Sequence, residues 1–264
     1  MPEFKGYSVP MVTVLVRPTS SRLAEGLLTH VERRPVDIDL ARRQWGNYVD
    51  VLRTVGWQVR EVPPLESCAD SVFIEDTVVM YRDVAVITRP GNDARKPEIE
   101  AVEPVVASMG CRVERIVDPG TLDGGDVLKV DDTVYVGLGG RTNRAGIDQL
   151  ARILTPLGAM VVAVPVTKVL HLKSAVTALP DGTIIGWDPA VDDPSVFPKY
   201  LSMPEESGAH VVIIDDKRLL MASDAPQSAA LLERLGYETI RVDISEYIKL
   251  EGCVTCLSVR MRDF

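Results

Sequence analysis

Apolar positions along the chain recur in two alternating rhythms. Across residues 39–56, Leu40, Trp45, Tyr48, Leu52 and Val55 fall on one helical face, and Gly56 follows as a C-terminal stop. Residues 57–62, Trp-Gln-Val-Arg-Glu-Val, then alternate with the period of two expected of a strand. The same order returns twice: a helix over 98–109, the stop Gly110 and a strand over 111–117, then a helix through Ile147, Leu150, Leu154 and Leu157, the stop Gly158 and a strand over 160–164. Two shorter echoes put Gly208 before 210–214 and Gly236 before 239–242. Between these units lie paired strands, 77–81 with 83–88 and 126–130 with 133–136, whose links at Arg82-Asp83 and Asp131-Asp132 suit hairpins.

Two or three strands plus one helix, about 50 residues long and present about five times, is the periodicity of a closed repeat architecture. An open doubly wound sheet would lack the hairpins and would carry a glycine-rich phosphate loop opening a helix. Gly124-Gly125 and the cluster at 137–140 instead sit inside or just after strand patterns, so no nucleotide site is expected. With 264 residues, 46% of them hydrophobic, the chain can bury a full core as one globular domain or two small ones, and residues 1–264 are taken as a single α/β domain. The net charge of -9 argues against nucleic acid, which needs a concentrated basic surface; it suits a cationic ligand better, but solubility alone accounts for it more simply. No apolar run reaches the roughly 18 to 20 residues of a bilayer span, and residues 1–10 lack the basic-then-apolar order of a signal peptide, so a cytoplasmic protein without membrane contact is expected. Cys68, Cys111, Cys253 and Cys256 are too scattered for a disulfide framework, and reduced thiols are the default.

Candidate chemistry gathers in four places. Of the three histidines, His30 and His210 read as structural or surface residues, whereas His171 interrupts the strand-like run 169–177, where an imidazole is out of place without a task. Cys256 lies in the last apolar stretch, 251–259, and a cysteine and a histidine on separate strands fit nucleophilic catalysis. Glu75 and Asp76 interrupt the apolar run 70–77. On a strand these neighbours point to opposite faces, so one of them faces the interior or a cleft and needs a cation or donors there. An internal Arg or Lys would satisfy it as well as a ligand. Asp123-Gly124-Gly125-Asp126 is either a turn or a close backbone approach. Cys253 and Cys256 have C-x-x-C spacing, but Cys68 and Cys111 bring no second pair of zinc ligands, and Val254, Leu257 and Val259 suggest a strand rather than the helix start of a redox motif.

Taken in order, the segments 70–76, 122–128, 171–174 and 252–258 resemble the guanidine-modifying superfamily, most closely the dimethylarginine dimethylaminohydrolases, and 14–18 and 137–143 also fit. The resemblance covers almost the whole chain and implies a five-bladed α/β propeller of ββαβ repeats around a central channel. It further implies Cys256 as nucleophile, His171 as general acid and base, and Asp123 as the carboxylate orienting the histidine. Glu75 and Asp76 would grip the guanidinium, Asp70 would lie near the ligand's α-amino end, and Arg95 and Arg141 near its carboxylate, framework ion pairs being the equal alternative for the two arginines. Leu250 and Thr19 would also contact the ligand, Thr19 from a loop over it. No metal or organic cofactor is implied; the partner is a small cationic substrate, a methylated arginine, and a homodimer is the assembly to test. Deiminases usually carry an acid two residues after the histidine, where this chain has Lys173, which favours methylated arginine over arginine. A non-catalytic propeller that only binds a partner is the other class of reading, and the joint presence of Cys256, His171 and Asp123 speaks against it.

Overall fold

The computed structural model describes residues 12–262; residues 1–10, in which no signal peptide was expected, lie outside that range. Fifteen strands among the described residues form five sheets of three. In the second sheet Val78–Tyr81 runs antiparallel to Val84–Ile87, and Arg112–Arg115 returns parallel to the latter. The pattern repeats in Val127–Val130, Thr133–Leu138 and Met160–Pro165, in Val176–Ala178, Ile184–Gly186 and Tyr200–Ser202, and in Val211–Ile213, Arg218–Ala222 and Glu238–Val242. The remaining sheet joins both ends of the chain: Val259–Met261 pairs antiparallel with Thr13–Val16, which pairs parallel with Gln58–Glu61.

Strand alternation explains why these sheets close into a ring. Val14 and Val16 enter one hydrophobic cluster while Leu15 enters the next; Val84 and Val86 likewise part from Ala85 and Ile87, and Ile184 from Ile185. Middle strands are therefore buried on both faces and read as continuous apolar runs. Five such clusters sit between neighbouring sheets, one per gap, so each blade contributes to two cores. The first strand of each blade lines a central channel that encloses about 420 Å³.

The hairpins fall where expected, with Arg82 and Asp131 both at φ 50, and the stops Gly56, Gly110, Gly158 and Gly236 all have φ between 85 and 97, the left-handed conformation that a helix C-terminus favours. Crossover helices span Ile38–Thr54, Val102–Ser108, Arg144–Leu154 and Pro226–Arg234. The first begins at Ile38 because the Asp37 side chain accepts from the N–H of Leu40 at 2.9 Å. The second is shorter than its pattern, since Pro97 holds the preceding turn in a 3-10 helix, Asp93–Ile99. The expectation of one helix per unit fails in the fourth blade, where Pro189 and Pro194 leave only the 3-10 turns Asp188–Ala190 and Pro194–Val196. The run 210–214 is correspondingly the first strand of the fifth blade, not the last of the fourth.

Candidate active site

Each channel strand is entered through a tight turn, and the chemistry-bearing residues sit in these turns. Glu75 and Asp76 lie in the 3-10 turn Ile74–Thr77, Asp123 immediately precedes the turn Gly124–Asp126, and His171 the turn Leu172–Ser174. His210 follows the corresponding turn Glu206–Ala209 of the fifth blade, and Cys256 closes a turn in which its N–H donates to the Cys253 carbonyl at 3.1 Å. Three strand expectations are corrected here. Residues 70–77, 169–175 and 253–258 are turns rather than strands, so Glu75 and Asp76 are not held to opposite faces and both are buried. Apolar content misled because these turns are buried between blades as fully as the strands they precede.

Asp123, fully buried, accepts at Oδ1 from the N–H of Gly91 at 2.9 Å, and His171 Nε2–H donates to its Oδ2 at 3.0 Å. His171 Nδ1 lies 3.8 Å from Asp76 Oδ1. That oxygen accepts from Gly125 N–H at 2.8 Å, while Asp76 Oδ2 receives Arg95 Nη1 at 2.6 Å. The double glycine is a close approach as well as a turn: a Cβ on Gly125 would lie 2.6 Å from both Asp76 Oδ1 and His171 Nδ1, and one on Gly124 would lie 2.0 Å from the Glu75 carbonyl. Asp126 steadies the histidine segment, accepting from Leu172 N–H at 2.9 Å and from the Thr142 hydroxyl at 2.6 Å.

A cavity of about 20 Å³ is lined by Cys256, His171, Asp76, Asp70, Arg95, Arg141 and Leu250, together with Leu27, Phe73, Leu170, Glu251 and Gly252. Asp123 backs His171 from behind this wall. Arg141 brings to it a buried Nη1 without a hydrogen-bond partner among the described residues, 3.5 Å from Asp123. Arg95 also lines the cavity, but each of its nitrogens already donates, to Asp76, Glu98 or the carbonyls of Asp70 and Phe73. Two expected ligand contacts do not line it. Thr19 is hydrogen-bonded to the Tyr247 hydroxyl at 2.7 Å. Glu75 faces the channel instead, where Lys173 Nζ and Arg260 Nη2 each reach its Oε1 at 2.6 Å and the Thr255 hydroxyl donates to Oε2 at 3.0 Å. An internal cation, one of the two partners left open for this carboxylate, is therefore present. Leu27 was overlooked because nothing local marks it: Asp70 Oδ2 holds its N–H at 3.0 Å across 43 residues of sequence.

The electrostatics favour a charged histidine. Burial opposes the imidazolium, but Asp76, Asp123 and Asp126 together outweigh it and raise the His171 pKa to about 9. Burial likewise works against the Asp76 carboxylate, yet His171 and Arg95 hold its pKa down to about 2. Asp126, buried with weaker compensation, is pushed up to about 6. Asp76, Asp123 and His171 could each offer one ligand atom within 4.8 Å of the others, but a dication there would sit against the guanidinium groups of Arg95 and Arg141.

Five three-stranded blades around a channel, with a cysteine, a histidine and carboxylates converging at one mouth, define the penteins, the guanidine-modifying α/β propellers. The arginine deiminase family model matches residues 58–195. A dimethylarginine dimethylaminohydrolase from Streptomyces coelicolor is 61% identical over 97% of this chain and 99% of its own, and one from Pseudomonas aeruginosa is 36% identical over 94% and 98%. The solved structure of a cysteine-to-serine mutant of the Pseudomonas aeruginosa enzyme, complexed with citrulline, matches with a TM-score of 0.87 and 34% identity, covering 94% of this chain and 98% of that one. The chain belongs to the dimethylarginine dimethylaminohydrolase family.

Proposed function

We propose that this chain hydrolyses Nω-methylated arginines to L-citrulline and dimethylamine or methylamine. The observation that carries the reading is the convergence of Cys256, His171, Asp76, Asp70 and Arg141 on one small cavity, with Asp123 behind the histidine. The names of the curated relatives and the citrulline bound to one of them support the substrate class.

A guanidinium carbon is a poor electrophile because its charge is spread over three nitrogens, so it must be held rigidly and attacked by a strong nucleophile. Asp76 offers fixed negative charge to the guanidinium, Asp70 serves the α-amino end, and the Arg141 guanidinium takes the carboxylate. Leu250 supplies apolar wall. The Cys256 thiolate attacks the carbon; the C–N bond to the methylated nitrogen breaks, and His171 gives that amine its proton so that it leaves neutral. Water then adds to the S-alkylthiouronium, losing a proton to His171, and the C–S bond breaks to release citrulline and the thiolate. Asp123 keeps the imidazole oriented through both steps. No organic cofactor or metal takes part in this scheme. The reading treats residues 1–264 as one catalytic unit of the cytoplasm, and a homodimer is its assembly to test; no helix among the described residues is long and apolar enough to cross a membrane.

Citrulline release from asymmetric dimethylarginine, run beside unmethylated arginine and repeated with Cys256→Ser, tests the proposal. The methylated substrate alone should turn over, and the variant should lose on the order of a thousandfold or more in rate. Preference for arginine would make this a deiminase, and silence on both would favour a binding protein.

A further inference from the structure

Two thiols face each other in this site, and the hydrolytic mechanism uses only one of them. Cys253 Sγ lies 3.2 Å from Cys256 Sγ, and both residues are buried. The intervening backbone is a closed turn, since the Cys256 N–H donates to the Cys253 carbonyl at 3.1 Å. A turn closed in this way keeps its end Cα atoms within about 7 Å, inside the separation that a disulfide spans. Bringing the sulfurs from 3.2 Å to the covalent distance of about 2.05 Å is a closure of little more than about 1 Å. The other two cysteines lack such a neighbour: Cys68 Sγ points at the Ala94 carbonyl at 3.7 Å, and burial pushes the pKa of both Cys68 and Cys111 up.

We infer that Cys253 is a resolving thiol for Cys256, so that hydroperoxides switch the enzyme off reversibly through a Cys253–Cys256 disulfide. The inference rests on Cys256 being the nucleophile of the proposed hydrolysis. Cys256 lines the substrate cavity whereas Cys253 stands behind it, beside the Thr255 hydroxyl at 3.2 Å, so a small oxidant entering by the substrate route meets Cys256 first. The Cys256 thiolate attacks one peroxide oxygen; the S–O bond forms, the O–O bond breaks and hydroxide leaves, so sulfur is oxidised by two electrons to the sulfenic acid and the peroxide is reduced. The Cys253 thiolate then attacks that sulfur, forming the S–S bond and expelling hydroxide, which is protonated to water. One peroxide and two thiols thus give one disulfide and two waters. The hydrogen bond shared by the two sulfurs couples their ionisation, lowering the pKa of Cys253 and raising that of Cys256, so the Cys253 thiolate can take the Cys256 proton and later attack the oxidised sulfur. A disulfide also keeps Cys256 from the sulfinic acid, which dithiols do not reverse.

The test treats wild-type protein and Cys253→Ser with hydrogen peroxide, with and without citrulline, then with dithiothreitol, and expresses each activity relative to its own untreated value. Wild type should lose activity, regain it on reduction, and be protected by citrulline. Its tryptic peptide 250–260, which contains Cys253 and Cys256 alone among the cysteines, should lose two hydrogens in mass and regain them. Cys253→Ser should lose activity without recovery and carry sulfinic acid on Cys256. Equal recovery by the variant, or sulfinic acid without disulfide in wild type, would overturn the inference. Failure of the hydrolase reading would appear separately, as an untreated protein that releases no citrulline.

Discussion

At the scale of single residues, His171 is the group on whose protonation the proposed hydrolysis depends. Three carboxylates within one buried pocket keep it protonated at neutral pH, with a pKa of about 9 against an ordinary 6.5. A base whose folded pKa is raised adds stability that is complete below the unfolded pKa and fades as pH rises through the folded one. Between about pH 6.5 and 9 the wild-type protein should therefore lose part of its stability, and its activity should fall as the proton for the leaving amine is lost. Asp123→Asn keeps an acceptor for Nε2–H but removes a charge, so it should move the alkaline limb of the kcat/KM profile down by roughly one pH unit or more. Coincident pH titrations of wild type and variant would show that Asp123 does not set the histidine's charge.

At the scale of elements, the tight turns before the channel strands aim the reactive groups, and an irregular segment covers them. Residues 26–36 contain no helix or strand and are held by two carboxylates: Asp70 on Leu27 N–H, and Glu251 on the N–H groups of Thr29 and His30 at 2.6 and 2.9 Å. Leu27 of this segment lines the same cavity as Cys256 and His171, so the segment is placed to close over a bound ligand. Glu251→Ala should loosen it and raise KM by roughly tenfold, with a smaller change in kcat, because about two charge-assisted hydrogen bonds are lost; steady-state kinetics on the methylated substrate separates the two. The elements differ in how openly the sequence displays them. Middle strands such as Val84–Ile87 and the glycine-stopped helices were legible because their periodicity or stop signals are local. The turns holding His171 and Cys256 were not, since a buried 3-10 turn and a buried strand share the same apolar composition. Cys256 and His171, singled out by residue type, and Asp123, singled out by resemblance, do come together in one buried cluster, whereas Leu27 and the burial of Glu75 against Lys173 depend on contacts between blades that no local pattern carries.

At the scale of the whole molecule, ring closure rests on such contacts. The last described strand, Val259–Met261, completes the blade that the first one starts, and its Arg260 crosses to Glu75 of the second blade, where Lys173 arrives from the fourth. Glu75 thus ties three blades at the floor of the active site, and through the Thr255 hydroxyl it reaches the turn that carries Cys256. Burial resists its ionisation, yet Lys173 and Arg260 more than compensate and hold its pKa below the ordinary value. A buried charge network is expensive to break from one side, because the remaining charges keep their desolvation cost without a partner. Glu75→Gln leaves both Lys173 and Arg260 in that position and should destabilise the fold by about 3 kcal/mol or more, lowering Tm by roughly 10 °C. Adding Lys173→Met, which removes one orphaned cation, should restore part of the loss, and denaturant unfolding of wild type, the single variants and the double variant measures the coupling. If Glu75 instead gripped the substrate guanidinium, the single variant would raise KM and leave the unfolding midpoint where it was; a lowered midpoint with partial rescue identifies it as the tie between blades.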